Sequence, residues 1–185
     1  NIPGAEINKI TSALGADRRI SPYYISAGPA YGGPCFPRDN RAFANFARSY
    51  GVDAKLSKAA DQINIFQNQI LGNKVLKLLK NSKDGNVSIF GLAYKPGTSV
   101  IEESASIKLI EYLLKKKGGL KIFVYDKLAL ETTKTYFGAK INYCKSAKVC
   151  AKSSSIWIFA TSENEFRKLL SKNKKKIELI NPWRL

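Results

Sequence analysis

The chain has 185 residues and carries 31 Lys and Arg against 14 Asp and Glu, a formal charge of +17 with no histidine. Its 44% hydrophobic and 11% aromatic content excludes a disordered chain, and no apolar run approaches the ~18–20 residues of a membrane span. The start at Asn1-Ile-Pro-Gly shows no signal-like or transit-like pattern, and three cysteines in such a chain lead to an expectation of reduced thiols in the cytoplasm.

Taken from the amino end, Ala42, Phe43, Phe46, Ala47 and Tyr50 form one helical face, opened by Asp39 and stopped by Gly51. From Ser57 to about Lys80 the apolar positions Ala59, Ile63, Phe66, Ile70, Val75 and Leu78 recur with a helical period. Residues 1–82 therefore read as a helical region interrupted by one cysteine loop. A rod this long in so small a region calls for a partner surface to cover its apolar stripe.

After the breaker Lys83-Asp84-Gly85-Asn86 the pattern changes. Strands are expected at Val87–Leu92, Lys121–Tyr125, Ile156–Ala160 and Ile177–Ile180, with a weaker one at Lys140–Tyr143. Helices are expected at Ser104–Lys117, Leu130–Phe137 and Glu163–Leu170. Strand-helix alternation predicts an α/β fold: a helical region followed, over 83–185, by a parallel sheet covered by helices on both faces. Ligands of such sheets bind beyond the carboxyl ends of the strands. The loop after the first strand, FGLAYKPGTSVIEES over residues 90–104, has no GxGxxG spacing. Ser99 and Glu102 are placed to form a capping box there, and Lys95 to meet a phosphate or carboxylate.

The positive charge is spread along the chain and is mostly lysine. Its densest run, Lys172-Asn-Lys-Lys-Lys176, falls between a helix and an apolar run. No zinc-finger spacing or aromatic platform accompanies it. A solvated lysine surface is expected, with neither nucleic acid nor membrane as partner. Cys144 and Cys150 lack the companions of a zinc site and read as small buried hydrophobes.

The third cysteine stands in AYGGPCFPRDN, residues 30–40. Glycines at 32 and 33 permit backbone angles and close approaches closed to other residues. Pro37 stiffens the exit, and Asp39 is placed to cap the next helix and to point into a site. Cys35 at a helix start beside Arg38 has two causes for a lowered thiol pKa, the helix dipole and a neighbouring cation. No imidazole is needed. From this loop alone, a structural cysteine and a reactive one are equally open.

The two loops in order, GPAYGGPCFPRD and then IFGLAYKPGTSVIEES followed by IFVYD, resemble the UDP-glucose/GDP-mannose dehydrogenase family of nucleotide-sugar oxidoreductases. ALGADRRIS, FATSENEF and INPWR are similar to further landmarks of that family. The resemblance implies NAD-dependent four-electron oxidation of a nucleotide-sugar C6 alcohol to the uronic acid, with UDP-glucose as the expected substrate. It implies that Cys35 is the nucleophile, through a thiohemiacetal and a thioester, and that Asp39 orients or activates water. It places substrate contacts at Tyr24, Ile25, Ser26, Ala27, Gly28, Gly32 and Lys95, with Arg19 reaching across a homodimer. Arg38 replaces a lysine near the cofactor, and Glu102 stands where the family carries a cofactor-side arginine. It further implies that NAD is bound mainly by an amino-terminal domain lacking here, so that this chain corresponds to a carboxyl-terminal portion, inactive alone. A non-catalytic basic module for nucleotides or RNA is the alternative, and the reactivity of Cys35 separates the two.

Overall fold

The computed structural model describes residues 3–25, 28–173 and 176–182. Three helices come first: α1 (Ile7–Gly15), α2 (Phe36–Ser49) and α3 (Lys55–Lys80). There follow β1 (Val87–Phe90), α4 (Ala105–Lys116), β2 (Ile122–Tyr125), α5 (Leu130–Phe137), a 3-10 turn (Gly138–Lys140) and β3 (Asn142–Tyr143). The last elements are α6 (Ala147–Lys152), β4 (Ile156–Phe159), α7 (Asn164–Ser171) and β5 (Glu178–Ile180). The five strands are parallel in the order β3-β2-β1-β4-β5. The fold is the expected one: a helical region and then an α/β unit with helices on both faces of the sheet.

Side chains alternate across a strand, and here the alternation sorts them by chemistry. Val87, Ile89, Ile122, Val124, Ile156 and Ile158 point to an aliphatic face shared with α3, α4 and α5. Phe90, Tyr125, Trp157 and Phe159 point to an aromatic face closed by Cys150 of α6 and Phe166 of α7. Phe159 stacks on Phe166 at 5.5 Å, and Phe90 meets both Phe159 and Trp157 within 5.7 Å. Cys144 and Cys150 are small buried members of this face, as expected.

The long helix serves two neighbours. Gly72, Val75 and Leu79 are buried, with Tyr112 of α4 lying over Gly72 and donating its hydroxyl to Asn73 Oδ1 at 2.7 Å. Its earlier turns pack on α2 and leave Ile63 and Phe66 more than half exposed. The apolar stripe read from the sequence thus divides. Its last two turns belong to the core of the α/β unit, and only its earlier part lacks cover. Helix α6 escaped the sequence reading because six residues are too few to show a period, although Ser146 caps it by accepting from Val149 N–H.

Two expected caps are absent. Helix α2 begins at Phe36, three residues before Asp39, so Asp39 lies inside the first turn and caps nothing. Helix α4 begins at Ala105 after Ser104, which places Ser99 and Glu102 in the preceding loop rather than in a capping box.

The carboxyl edge of the sheet is fixed by Asp126, 7% exposed. One carboxylate oxygen accepts from Leu92 and Ala93 N–H at 2.7 and 3.3 Å, and the other from Leu128 and Ala129 N–H at 2.8 Å each. One side chain therefore ties the loop after β1 to the loop after β2. Replacing Asp126 by Ala leaves these buried donors unpaired and should cost on the order of 4 kcal/mol, read as a lower urea midpoint. An unchanged midpoint would show that the loops hold themselves.

Candidate active site

The strand order reverses direction between β1 and β4, and in sheets of this kind the ligand crevice opens beyond the carboxyl ends at that point. The loops that follow β1 and β4 supply Ala93, Tyr94 and Ala160 to a cavity of about 280 Å³. The far wall comes from another part of the chain, the segment before α2, through Gly28, Ala30 and Gly32. A second hollow of about 320 Å³ lies behind the same segment, between α3 and the end of β5. The cysteine segment therefore lids the crevice of the α/β unit.

Its seat is built from backbone. Gly33 adopts φ +90 and donates its N–H to the carbonyl of Glu102 at 3.0 Å. A side chain on Gly32 would fall 2.2 Å from the carbonyl oxygen of Glu103, and one on Gly33 would strike the ring of Tyr94. Glu103 itself has φ +52, a left-handed conformation that costs a non-glycine residue energy. Arg41 offsets this from α2, reaching Glu103 at 3.2 Å and Asp61 at 3.4 Å. On the other side, Asn64 of α3 accepts from Tyr31 N–H at 2.8 Å and donates to Tyr31 O at 2.9 Å.

Cys35 is the residue from which α2 starts, and its thiol is exposed. Pro37 is the second residue of the helix and is buried. Asp39 follows one helical turn after Cys35, which places both on one face. Its carboxylate accepts from Arg38 Nε at 2.9 Å, with both side chains more than half exposed. That hydrogen bond raises the pKa of Arg38, and the nearby Cys35 and Glu102 add to the effect. The guanidinium is thus the cation facing three acidic groups at the mouth of the site.

The expected substrate residues are only partly gathered. Gly28 and Gly32 line the cavity. Tyr24 is 90% exposed, and Ile25 packs near Gly15; neither lines that cavity. Ser26 and Ala27 lie outside the described residues. Lys95 is exposed in the loop after β1, its ammonium 5.4 Å from the centre of the Tyr94 ring. Arg19 is paired with Asp17 at 2.6 Å on an exposed surface, away from the cavity of its own chain. Arg38, exposed at the mouth, suits a phosphate of a dinucleotide. Glu102, an exposed carboxylate beside it, does not. The sequence reading missed Asn64, Glu103, Tyr94 and Asp126. Only Asp126 carried a signal, as an acid closing the apolar run IFVY.

This is a nucleotide-binding type of α/β architecture with a thiol-bearing loop laid over its switch point. A model of the UDP-glucose/GDP-mannose dehydrogenase family, central domain, matches residues 1–65, and a model of that family's UDP binding domain matches residues 88–182. The chain belongs to the UDP-glucose/GDP-mannose dehydrogenase family. A UDP-glucose 6-dehydrogenase of Rickettsia bellii is 34% identical over 169 residues, covering 90% of this chain and 38% of the relative. One from Haloferax volcanii is 33% identical with the same coverage. A solved UDP-glucose dehydrogenase from Pyrobaculum islandicum superposes with TM-score 0.83 at 26% identity, covering 94% of this chain and 39% of that one. A GDP-mannose dehydrogenase from Pseudomonas aeruginosa, at 24% identity, shares the fold with TM-score 0.72, covering 97% of this chain and 42% of its own length. The chain spans about 38% of the length of the curated relatives it matches.

Access separates the three thiols. Cys150 is fully buried and its pKa is pushed up by that burial. Cys144 is held down to about 7 by a hydrogen bond from Cys150, but at 4% exposure a reagent cannot reach it. Limiting maleimide should therefore label Cys35 first, the other two following only on unfolding. Adducts mapped to Cys144 or Cys150 in the native chain would contradict this.

Proposed function

We propose that this chain carries the nucleophile and the sugar-nucleotide cradle of an NAD-dependent nucleotide-sugar 6-dehydrogenase, with UDP-glucose converted to UDP-glucuronate. The observation that supports it is the cavity at the switch point of the sheet, roofed by the glycine pair that precedes Cys35. On this reading, residues 1–82 form the catalytic-loop and dimerisation region and 83–185 the UDP-sugar unit, with α3 shared between them. The nucleotide lies along the 24–28 segment and the loop after β1, and Lys95 binds a phosphate or the sugar. The exposed Lys95 ammonium gives up little on reaching an anion, since its contact is with the face of the Tyr94 ring, 5.4 Å from the centroid.

The C6 alcohol first loses a hydride and a proton and becomes an aldehyde. Cys35 sulfur then adds to the carbonyl carbon, and a proton goes to the carbonyl oxygen, giving a thiohemiacetal. Loss of a second hydride and a proton leaves a thioester on Cys35. Water attacks it, the carbon–sulfur bond breaks, and the carboxylate and the free thiol result. Asp39, one turn along the helix from Cys35, orients that water once its carboxylate leaves Arg38. NAD would supply the hydride acceptor, one molecule for each of the two hydrides in turn, and Arg38 is the residue here that would hold one of its phosphates. The remaining contacts of the dinucleotide fall to residues other than these 185, whose sequence contains no GxGxxG turn.

The second copy enters through α2 and α3. Phe43 and Phe46 of α2 and Ile63 and Phe66 of α3 are each about 60% exposed, and apolar exposure of this kind marks an association surface. A two-fold contact covers it with itself. Arg19, committed only to the exposed Asp17, then reaches the substrate of the neighbouring copy.

Titration of the chain with UDP-glucose should show binding that Lys95→Ala weakens by at least about tenfold and Cys35→Ser leaves unchanged. The chain alone should form no NADH from UDP-glucose and NAD. RNA binding without any UDP-glucose binding would favour the non-catalytic alternative. Light scattering should report a dimer, dissociated by Ile63→Asp with Ile70→Asp. A monomer at micromolar concentration for the unmutated chain would remove the role given to Arg19.

A further inference from the structure

The net charge of +17 is not evenly placed on the fold. In a parallel α/β unit the helices run back against the strands, so helix ends and strand starts share one edge of the sheet. Lys80 ends α3, and Lys83 follows before β1. Lys115 and Lys116 end α4, and Lys117 caps it. Lys121 precedes β2 and Lys140 precedes β3; the pairing of Phe123 with Asn142 sets these two side by side when continued two residues back. Lys152 ends α6, Lys172 caps α7 and Lys176 precedes β5. All ten are exposed.

Two carboxylates share this edge. Asp84 is spent internally, accepting from Ser82 Oγ and from the N–H groups of Asn86 and Ser155 at 2.8 to 3.0 Å, and Glu178 stands at the start of β5. Among the described residues none of the ten lysines is in an ion pair. The opposite, carboxyl edge sets Glu102, Glu103, Asp126, Glu131, Glu163 and Glu165 against Lys95, Lys127, Lys145 and Lys148, which leaves it without a net positive charge. The unit is electrically polar along its strands, and its basic end faces away from the candidate active site.

Lysines in the last turn of a helix are favoured by the helix dipole, which accounts for Lys80, Lys115, Lys116 and Lys152. It does not account for Lys83, Lys121, Lys140 or Lys176, which lie outside the α-helices. We propose that the lysine-bearing amino edge of the sheet docks the protein on an anionic phospholipid surface, with the nucleotide-sugar crevice held toward the solvent. The face fits such a partner in three respects. Five strand starts at ~4.8 Å spacing make a broad platform ~20 Å across rather than a groove. The cations on it are lysines, with no arginine among the described residues, whereas nucleic-acid recognition favours the arginine fork. Between α4 and α5 a hollow of about 520 Å³ has Lys115 and Lys140 beside Leu114 and Phe137. The one carboxylate of its lining, Glu111, accepts from Tyr136 Oη at 2.6 Å, so a phosphate headgroup can meet the two cations and its first methylenes carbon. The sequence had led to an expectation of no membrane partner, because no segment is apolar enough to insert. Adsorption by charge needs no such segment. This inference is independent of the chemistry assigned to Cys35.

The test is co-sedimentation of the chain with vesicles of phosphatidylcholine alone and of phosphatidylcholine with phosphatidylserine. Binding to the mixed vesicles is expected, to be lost in about 1 M salt, where the Debye length falls to about 3 Å. Changing Lys115, Lys121 and Lys140 together to Gln should weaken it at least ~100-fold, at ~5-fold per lysine. Changing Lys127, Lys145 and Lys148 to Gln at the other edge alters net charge equally and should cost less than about fivefold. Thermal melts of both variants confirm that each is folded. Equal binding to the two vesicle types, or equal loss in the two triple variants, would overturn the proposal. So would tighter binding to single-stranded RNA than to the anionic vesicles at the same salt.

Discussion

Everything at the candidate site hangs on the contact between a pair of glycines and the backbone of Glu102 and Glu103. The cysteine segment precedes the sheet by some fifty residues and has no covalent reason to lie over it. It stays because Gly33 donates to Glu102 and because Gly32 lets the carbonyl of Glu103 approach to a distance that any side chain would block. A backbone-to-backbone seat is more exacting than one made by side chains, since no rotamer can absorb an error. It also explains why strain is tolerated at Glu103. The left-handed turn there aims two successive carbonyls at the glycines, and the Arg41 pair holds the side chain that would otherwise favour relaxation.

The seat is only as firm as the loop that provides it. Residues 91–104 contain no regular structure, yet Asp126 fixes the loop's first residues, and Tyr94 N–H bonds to Val100 O across it. Asp126 directly follows β2, Glu103 lies on the approach to α4, Arg41 is in α2 and Asn64 in α3. Four elements far apart in sequence thus converge on one loop pair. They reach the cysteine segment and its seat mainly through hydrogen bonds and an ion pair. The cavity is shaped by the junction, and neither half of the chain encloses it alone.

Much of the fold was legible because its period is strong. The strands alternate faces cleanly enough that Val87, Ile89 and Phe90 could be placed on a sheet before any partner was known, and α5 was read at its observed limits. What could not be read depended on distance in sequence. The stripe on α3 gives no hint that Val75 is buried against α4 while Ile63 remains exposed, since both are equally apolar and equally periodic. Asp39 looked like a cap because it precedes the apolar period, but Pro37 can occupy the first helical turn, and the helix therefore starts at Phe36. Glu103 and Asn64 carry no local signal at all. Their parts are fixed by the loop they meet. The glycine pair was noticed for the right property, close approach, but what approaches in this structure is the chain's own backbone.

On the proposed reading, Arg38 stands beside Cys35 where other catalytic thiols have an imidazole. A catalytic thiol needs a positive neighbour that holds its charge throughout the cycle, and an imidazole holds it only below its own pKa. A guanidinium holds it at every pH at which the protein is folded, and here Asp39 raises its pKa further. The consequence is that Arg38 cannot serve as a base: it is always protonated and has no free lone pair to accept a proton. On the proposed reading, proton transfer at this mouth falls to Asp39 or to water, and Asp39 acts by letting go of Arg38. On that reading, the two functions that a Cys–His pair combines in one ring are divided between two adjacent residues, one permanently cationic and one anionic. The ion pair between them, more than half exposed and therefore weak, is easily opened by an arriving phosphate. On the proposed reading, binding of an anionic ligand at Arg38 and release of Asp39 toward the substrate are a single exchange.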